Sequence, residues 1–217
     1  MMETRLNSCT FCEEIKDNFL EFNNISFGKP IIFESRNFVV VPSLGQIVEG
    51  YLLIASKKHY ISIGEMPSEL YPELEAVQEK VRKVLSANYE VPLFFEHGPV
   101  SIAKKGGCCV EHCHLHAVPA KIEILDELKK HFKCRKIKDF SALKRQFNKK
   151  KQYFFYESRS RQRFVFELPP AVPSQYIRKV IANKIGAPEK WDWKTCPGAD
   201  EFIRTVKKLK KEFRTKS

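Results

Sequence analysis

The stretch His112-Cys113-His114-Leu115-His116-Ala117-Val118-Pro119 constrains this chain more than any other. Three of the six histidines fall within five positions, in every-other-residue register. In a β-strand, residues i, i+2 and i+4 share a face. The pattern therefore predicts a strand over 108–119 with His112, His114 and His116 on one side. Cys113, Leu115 and Ala117 would form its apolar back, and Pro119 would stop it. Buried imidazoles need hydrogen-bond partners, so such a row calls for a dedicated polar environment rather than ordinary core packing. Two chemistries compete for it. His-x-His pairs on strands chelate zinc, and a neutral imidazole can attack phosphorus to form a phosphoramidate.

The surrounding pattern supplies a sheet for that strand. A short helix follows Cys9-Thr10-Phe11-Cys12. Residues 31–43 give two apolar runs broken by a turn at Ser35-Arg36-Asn37, a hairpin signal. Residues 50–60 and 91–98 read as further strands. Between them, Leu70, Leu74, Val77, Val81 and Val84 fall on one helical stripe, with Ser68 as the expected cap. Strands with a long helix inserted suit an antiparallel sheet with a helix packed on it, the α+β class. Beyond Pro119, residues 121–147 look largely helical, and 152–170 read as strand, basic turn and strand. Residues 173–188 read as a helix capped by Ser174 and ended by Gly186, and 195–213 as a last helix. The expected division is 1–120 as the catalytic unit and 121–217 as an α/β extension packed on it.

Charge separates the same two parts. Residues 121–217 hold 27 Lys and Arg against 11 Asp and Glu, a balance of +16, whereas residues 1–120 balance at −4. A basic half suits a polyanion such as nucleic acid or a nucleotide polyphosphate. A solvated lysine-rich surface reads equally well from runs such as Lys149-Lys150-Lys151. The N-terminal residues carry charges where a secretory leader needs an apolar run, and no stretch is long and apolar enough to span a membrane. A cytoplasmic protein is the expectation. Seven cysteines in such a chain point to reduced thiols, some of them metal ligands.

Cys9 and Cys12 form a Cys-x-x-Cys pair, half of a zinc site. His59, in the basic corner Lys57-Lys58-His59-Tyr60, and one histidine of the row would complete a Cys₂His₂ set. If His112 is spent there, His114 and His116 remain for chemistry.

The motif His-Cys-His-Leu-His-Ala-Val resembles the signature of the histidine triad (HIT) superfamily of nucleotide hydrolases and transferases. Cys9–Cys12, the His59 corner and the strand at 93–98 fall in matching order, so the resemblance covers roughly residues 8–120. It implies a HIT-like fold, with His114 as nucleophile on the α-phosphorus of a nucleotide. His116 would bind phosphate and help protonate the leaving group. Structural zinc would sit on Cys9, Cys12, His59 and His112. A histidine rather than glutamine at the third triad position favours transfer to water. Asn37, Glu96, Lys105, Gly107, Cys108 and Cys109 are the substrate-binding candidates. Gly107-Cys108-Cys109 stands where many members carry Gly-Gln-Ser or Gly-Gln-Thr, and Ser43 falls near the acidic position that grips the ribose. The extension, from Pro173 to Pro197, resembles Cwf-type, splicing-associated relatives, and adds Gln175 and Arg178 as phosphate-facing candidates. The implied activity is hydrolysis of a nucleotidyl anhydride or phosphoramidate. The alternative is a nucleic-acid-binding or RNA-processing module on a HIT-like scaffold. A homodimer through the sheet edge is a possible assembly, unless the extension covers that edge.

Overall fold

The computed structural model describes residues 9–101 and 110–215. The chain opens with α1 (Thr10–Asp17) and a small hairpin, β1 (Leu20–Phe22) and β2 (Ile25–Gly28). There follow β3 (Phe33–Glu34), β4 (Phe38–Pro42), β5 (Leu52–Ser56), the long helix α2 (Tyr71–Asn88), β6 (Leu93–Gly98) and β7 (His114–Val118). The basic half adds α3 (Leu125–His131), β8 (Cys134–Ile137), α4 (Ser141–Asn148), β9 (Tyr153–Glu157), β10 (Arg163–Glu167), α5 (Tyr176–Lys184) and α6 (Ala199–Thr215).

Eight strands form one antiparallel sheet in the order β3-β4-β5-β7-β6-β9-β10-β8, so the class is α+β. Period-2 alternation sorts its side chains to two faces. Val40, Leu52, Ile54, Phe94, Leu115 and Ala117 bury against α2, whose Leu74, Val77, Val81 and Val84 form the predicted stripe. Val39, Val41, Leu53, Phe95, Val118 and Phe154 bury on the other face with Ile177, Ile181 and Ala182 of α5. Cys113, Leu115 and Ala117 form the apolar back of the histidine strand, as their register requires. Removing a fully buried side chain such as Leu115 costs about 2–5 kcal/mol.

The sheet does not stop at residue 120. The edge of β6 is occupied by β9, paired from Phe94↔Glu157 to Gly98↔Tyr153. The extension therefore covers the strand edge through which a second copy could have paired. Glu157 of β9 is buried between Arg82 of α2 and Arg163 of β10, and this ion-pair cluster ties the two halves together.

Several local expectations are corrected. Residues 121–147 hold β8 between two helices. Cys134-Arg135-Lys136-Ile137 carries a helix-compatible composition, and its pairing with β10 overrides it. Ser68 makes no cap. The chain enters α2 through a 3₁₀ turn over Ser68–Leu70 after Pro67. Ser174 does not stand at the cap position of α5 either: Gln175 does, with φ 58°. The hairpin β1–β2 was unforeseen, although Asn23-Asn24, both at positive φ, are its turn signal. The histidine strand starts at His114, so His112 precedes it. Among the described residues, no helix is long and apolar enough to cross a membrane.

Candidate active site and metal-ligand cluster

Pairing between β5 and β7 ends at Ala55↔His114, and beyond it the chain bends. His112 is thereby released from the row. Its Nε2–H donates to the Ser56 carbonyl at 2.7 Å, which leaves the Nδ1 lone pair facing α1. There Nδ1 lies 3.7 Å from Cys9 Sγ and 3.4 Å from Cys12 Sγ, and His59 Nδ1 lies 3.4 Å from Cys12 Sγ. The four ligand atoms all fall within 4.8 Å of one another. Tetrahedral zinc with bonds of about 2.3 Å to sulfur and 2.0–2.1 Å to nitrogen sets ligand atoms roughly 3.3–3.8 Å apart, so the set could hold such an ion. Burial lowers His112 to about 4, keeping the ring neutral as a ligand must be. Burial, reinforced by Cys9, raises the Cys12 thiol to about 11. A bound divalent cation would reverse that balance and draw the thiolates out.

His114 and His116 do share a face, and each ring is oriented by a different partner. His114 Nδ1–H donates to the His112 carbonyl at 2.5 Å, so Nε2 is the unprotonated nitrogen. Desolvation holds its pKa below the usual histidine value, and Arg178 adds to this. His116 stacks on Phe95 at 4.1 Å and 8°, with Nδ1 2.7 Å from the Tyr51 hydroxyl. Burial, followed by the charges of His114, His97 and Arg178, holds it well below its ordinary value. Tyr51 is fully buried and pushed up to about 12 by desolvation, so its hydroxyl stays protonated.

The rings open on a cleft of about 380 Å³ lined by His97, His114, His116, Gln175, Arg178 and Trp193, with an apolar rim that includes Phe22, Ile31 and Leu44. Arg178 is 3% exposed, yet among the described residues it forms no ion pair. Its guanidinium donates to the carbonyls of Gly45 (2.7 Å) and Trp191 (2.9 Å) and to Ser43 Oγ (3.4 Å), and packs 5.2 Å from the Tyr51 ring centre. Gly45 permits this approach: at φ +66°, a Cβ there would lie 2.6 Å from the guanidinium. Gln175 donates to Asp192 at 3.1 Å, while its buried Oε1 has no hydrogen-bond partner among the described residues. A buried cation balanced only by neutral acceptors favours an anionic ligand.

The remaining sequence candidates separate. Glu96 points to the α2 face, where it accepts from Ile63 N–H (2.6 Å) and Tyr153 O–H (2.9 Å). Alternation along β6 turns it away from the triad, and it clamps the loop after His59 to β9. Asn37 also lies away from the cleft: its backbone N–H and Nδ2 donate to Glu73 of α2 at 2.8 and 2.6 Å. Lys105, Gly107, Cys108 and Cys109 lie outside the described residues. From the sequence alone His97 reads either as a second acid/base near the triad or as part of a hydrogen-bonded turn, with the turn favoured, and Tyr51 is unmarked. Both sit one strand away from a triad histidine, a relation that only the sheet register reveals.

No family model matches the chain. In sequence it is similar to CWF19-like protein 1 of Homo sapiens, 22% identical over 183 residues, which is 78% of this chain and 32% of that protein. The Mus musculus protein of the same name shows the same identity over the same shares. The chain spans about a third of the length of these curated relatives. Among solved structures it is similar to a HIT family protein from Bacillus anthracis, with a TM-score of 0.43 at 22% identity over 54% of this chain and 76% of that one. It is also similar to a Zn-bound histidine triad family protein from Mycobacterium smegmatis, with a TM-score of 0.40 at 20% identity over 66% and 92% of the two chains.

Proposed function

We propose that this chain is a histidine-triad nucleotidyl hydrolase acting at the α-phosphate of a nucleotidyl anhydride or phosphoramidate. The observation that carries the reading is the pair of imidazoles, each held through Nδ1 by its own partner, beside a buried guanidinium that has no ion pair among the described residues. His114 is held with Nε2 unprotonated, as a nucleophile requires. Its lone pair attacks phosphorus, and the bond from phosphorus to the leaving group breaks. His116 Nε2–H hydrogen-bonds the departing atom, which leaves with the electron pair and takes its proton from water. A second water attacks the nucleotidyl-His114 phosphoramidate, loses a proton to solvent, and frees the nucleotide and the neutral imidazole. Arg178, with Gln175 beside it, supplies the charge-assisted contact to phosphate.

Cys9, Cys12, His59 and His112 would hold zinc, and the donor distances support that assignment. The ion would be structural, pinning the first turn of α1 to the His112 carbonyl that orients His114. The catalytic steps fall to the imidazoles.

The test is intact-protein mass measurement after mixing with dinucleoside polyphosphates, aminoacyl-type adenylates and nucleoside phosphoramidates. A nucleotidyl adduct lost in His114→Ala is expected; neither adduct nor turnover with any of them sinks the proposal. A second reading, an RNA- or DNA-binding module, is favoured by the +16 balance of residues 121–217 and the similarity to CWF19-like protein 1. Salt-dependent binding to nucleic acid that His114→Ala leaves unchanged would support it.

A further inference from the structure

His97 is a cleft-lining imidazole that neither the triad motif nor the metal cluster accounts for. Strand β6 pairs with β7 at Phe95↔His116, and carrying that register two residues on sets His97 opposite His114. The side chain is 7% exposed. It is packed edge-to-face against Phe154 (4.9 Å), Phe95 (5.6 Å) and His116 (6.0 Å). Its Nε2 is buried and has no hydrogen-bond partner among the described residues. An unsatisfied buried polar atom costs about 1–3 kcal/mol. In a nest of Phe95 and Phe154, phenylalanine would pack without that penalty. The position therefore carries an imidazole whose polar atom a ligand must satisfy. Burial lowers its pKa to about 3, and His114 and Arg178 reinforce this, so the ring stays neutral and always holds one N–H.

We propose that His97 is a further substrate-contacting imidazole, donating a hydrogen bond to a non-bridging phosphate oxygen of the nucleotide held between His114 and Arg178. The inference rests on the nucleotide-hydrolase reading and adds to it a neutral donor on the β6 side of the phosphate. A neutral donor grips phosphate without adding the charge that would slow product release.

The experiment compares wild type, His97→Phe and His97→Gln as full chains. Each is titrated calorimetrically with the four 5′-ribonucleoside monophosphates and assayed for turnover. Phenylalanine keeps the aromatic packing and removes the donor, whereas glutamine keeps a donor and removes the ring. His97→Phe should weaken monophosphate binding about 10- to 100-fold, with His97→Gln recovering to within about threefold of wild type. Unchanged binding in His97→Phe, equal losses in both variants, or no monophosphate binding by wild type would each overturn the inference. Should His97→Phe fail to fold, weak binding by a folded His97→Gln overturns it as well. Monophosphate binding with the expected ranking but no turnover of any substrate would defeat the hydrolase reading and leave this contact standing. Turnover with unchanged His97→Phe affinity would do the reverse.

Discussion

Replacing Tyr51 by phenylalanine removes one oxygen atom and tests how His116 is held in its working tautomer. The Tyr51 hydroxyl lies 2.7 Å from His116 Nδ1, with both side chains buried. Desolvation keeps the hydroxyl protonated, so it has a hydrogen to give. A hydroxyl that donates this hydrogen to His116 Nδ1 places the imidazole proton on Nε2, toward the cleft. The substitution creates no cavity beyond the lost oxygen, so the effect is that of a buried acceptor left unpaired, about 1–3 kcal/mol. At 1.36 kcal/mol per tenfold, the expected loss in kcat is about 5- to 150-fold. Single-turnover formation of the His114 adduct measures it, and a urea midpoint separates it from unfolding. Nitrogen-15 NMR of the His116 ring gives a readout that no kinetic scheme can imitate: wild type should carry its proton on Nε2, and the variant should show a mixture. If kcat holds and the tautomer does not change, the hydroxyl does not orient His116 and the argument fails.

Three further outcomes follow from the same geometry. His97 has a folded-state pKa of about 3 against an unfolded value near 6.5, so its contribution to stability is fully present above pH 6.5 and is lost as pH falls through 3. Urea unfolding at pH 7.5 and 4.5 should thus show His97→Phe losing less stability than wild type; parallel losses would contradict the assignment. Purified chain should carry one zinc by elemental analysis, and Cys12→Ser should abolish retention and lower Tm; equal zinc content in that variant would exclude the cluster. Arg178→Met should weaken nucleoside monophosphates about 10- to 150-fold by loss of a charge-assisted bond while leaving the unphosphorylated nucleoside unaffected, a contrast that calorimetry reads directly.

What was legible in the sequence was local. The alternation at 112–118 announced its strand and its apolar back, and the stripe from Leu74 to Val84 announced α2, because a two- or 3.6-residue period survives without tertiary context. The Cys9–Cys12 pair and His59 read as ligands from spacing and residue type, and the four donors do converge. Failures came where a neighbour decides. Glu96 and His97 are adjacent in sequence, and only the pairing of β6 determines which faces the triad. Asn37 read as a substrate contact, yet Glu73, thirty-six residues on, claims it. Cys134–Ile137 carries helix-compatible residues and becomes a strand because β10 offers it an edge.

The boundary at residue 120 shows the same limit most sharply. Composition changes there, and a motif resemblance ends there, but the sheet runs through it and the cleft is lined from both sides. His114 and His116 come from β7, whereas Arg178 comes from α5 and is anchored on Gly45, more than a hundred residues earlier. The residue that would grip phosphate is thus also a staple between the two halves. Truncation at 120 would bare the edge of β6, uncover the face that α5 buries, and remove the cleft's buried guanidinium in one step. Loss of activity in such a fragment would say nothing about which of these mattered. Point substitutions within the full chain, at Tyr51, His97 and Arg178, can separate orientation of the imidazoles from contact with phosphate.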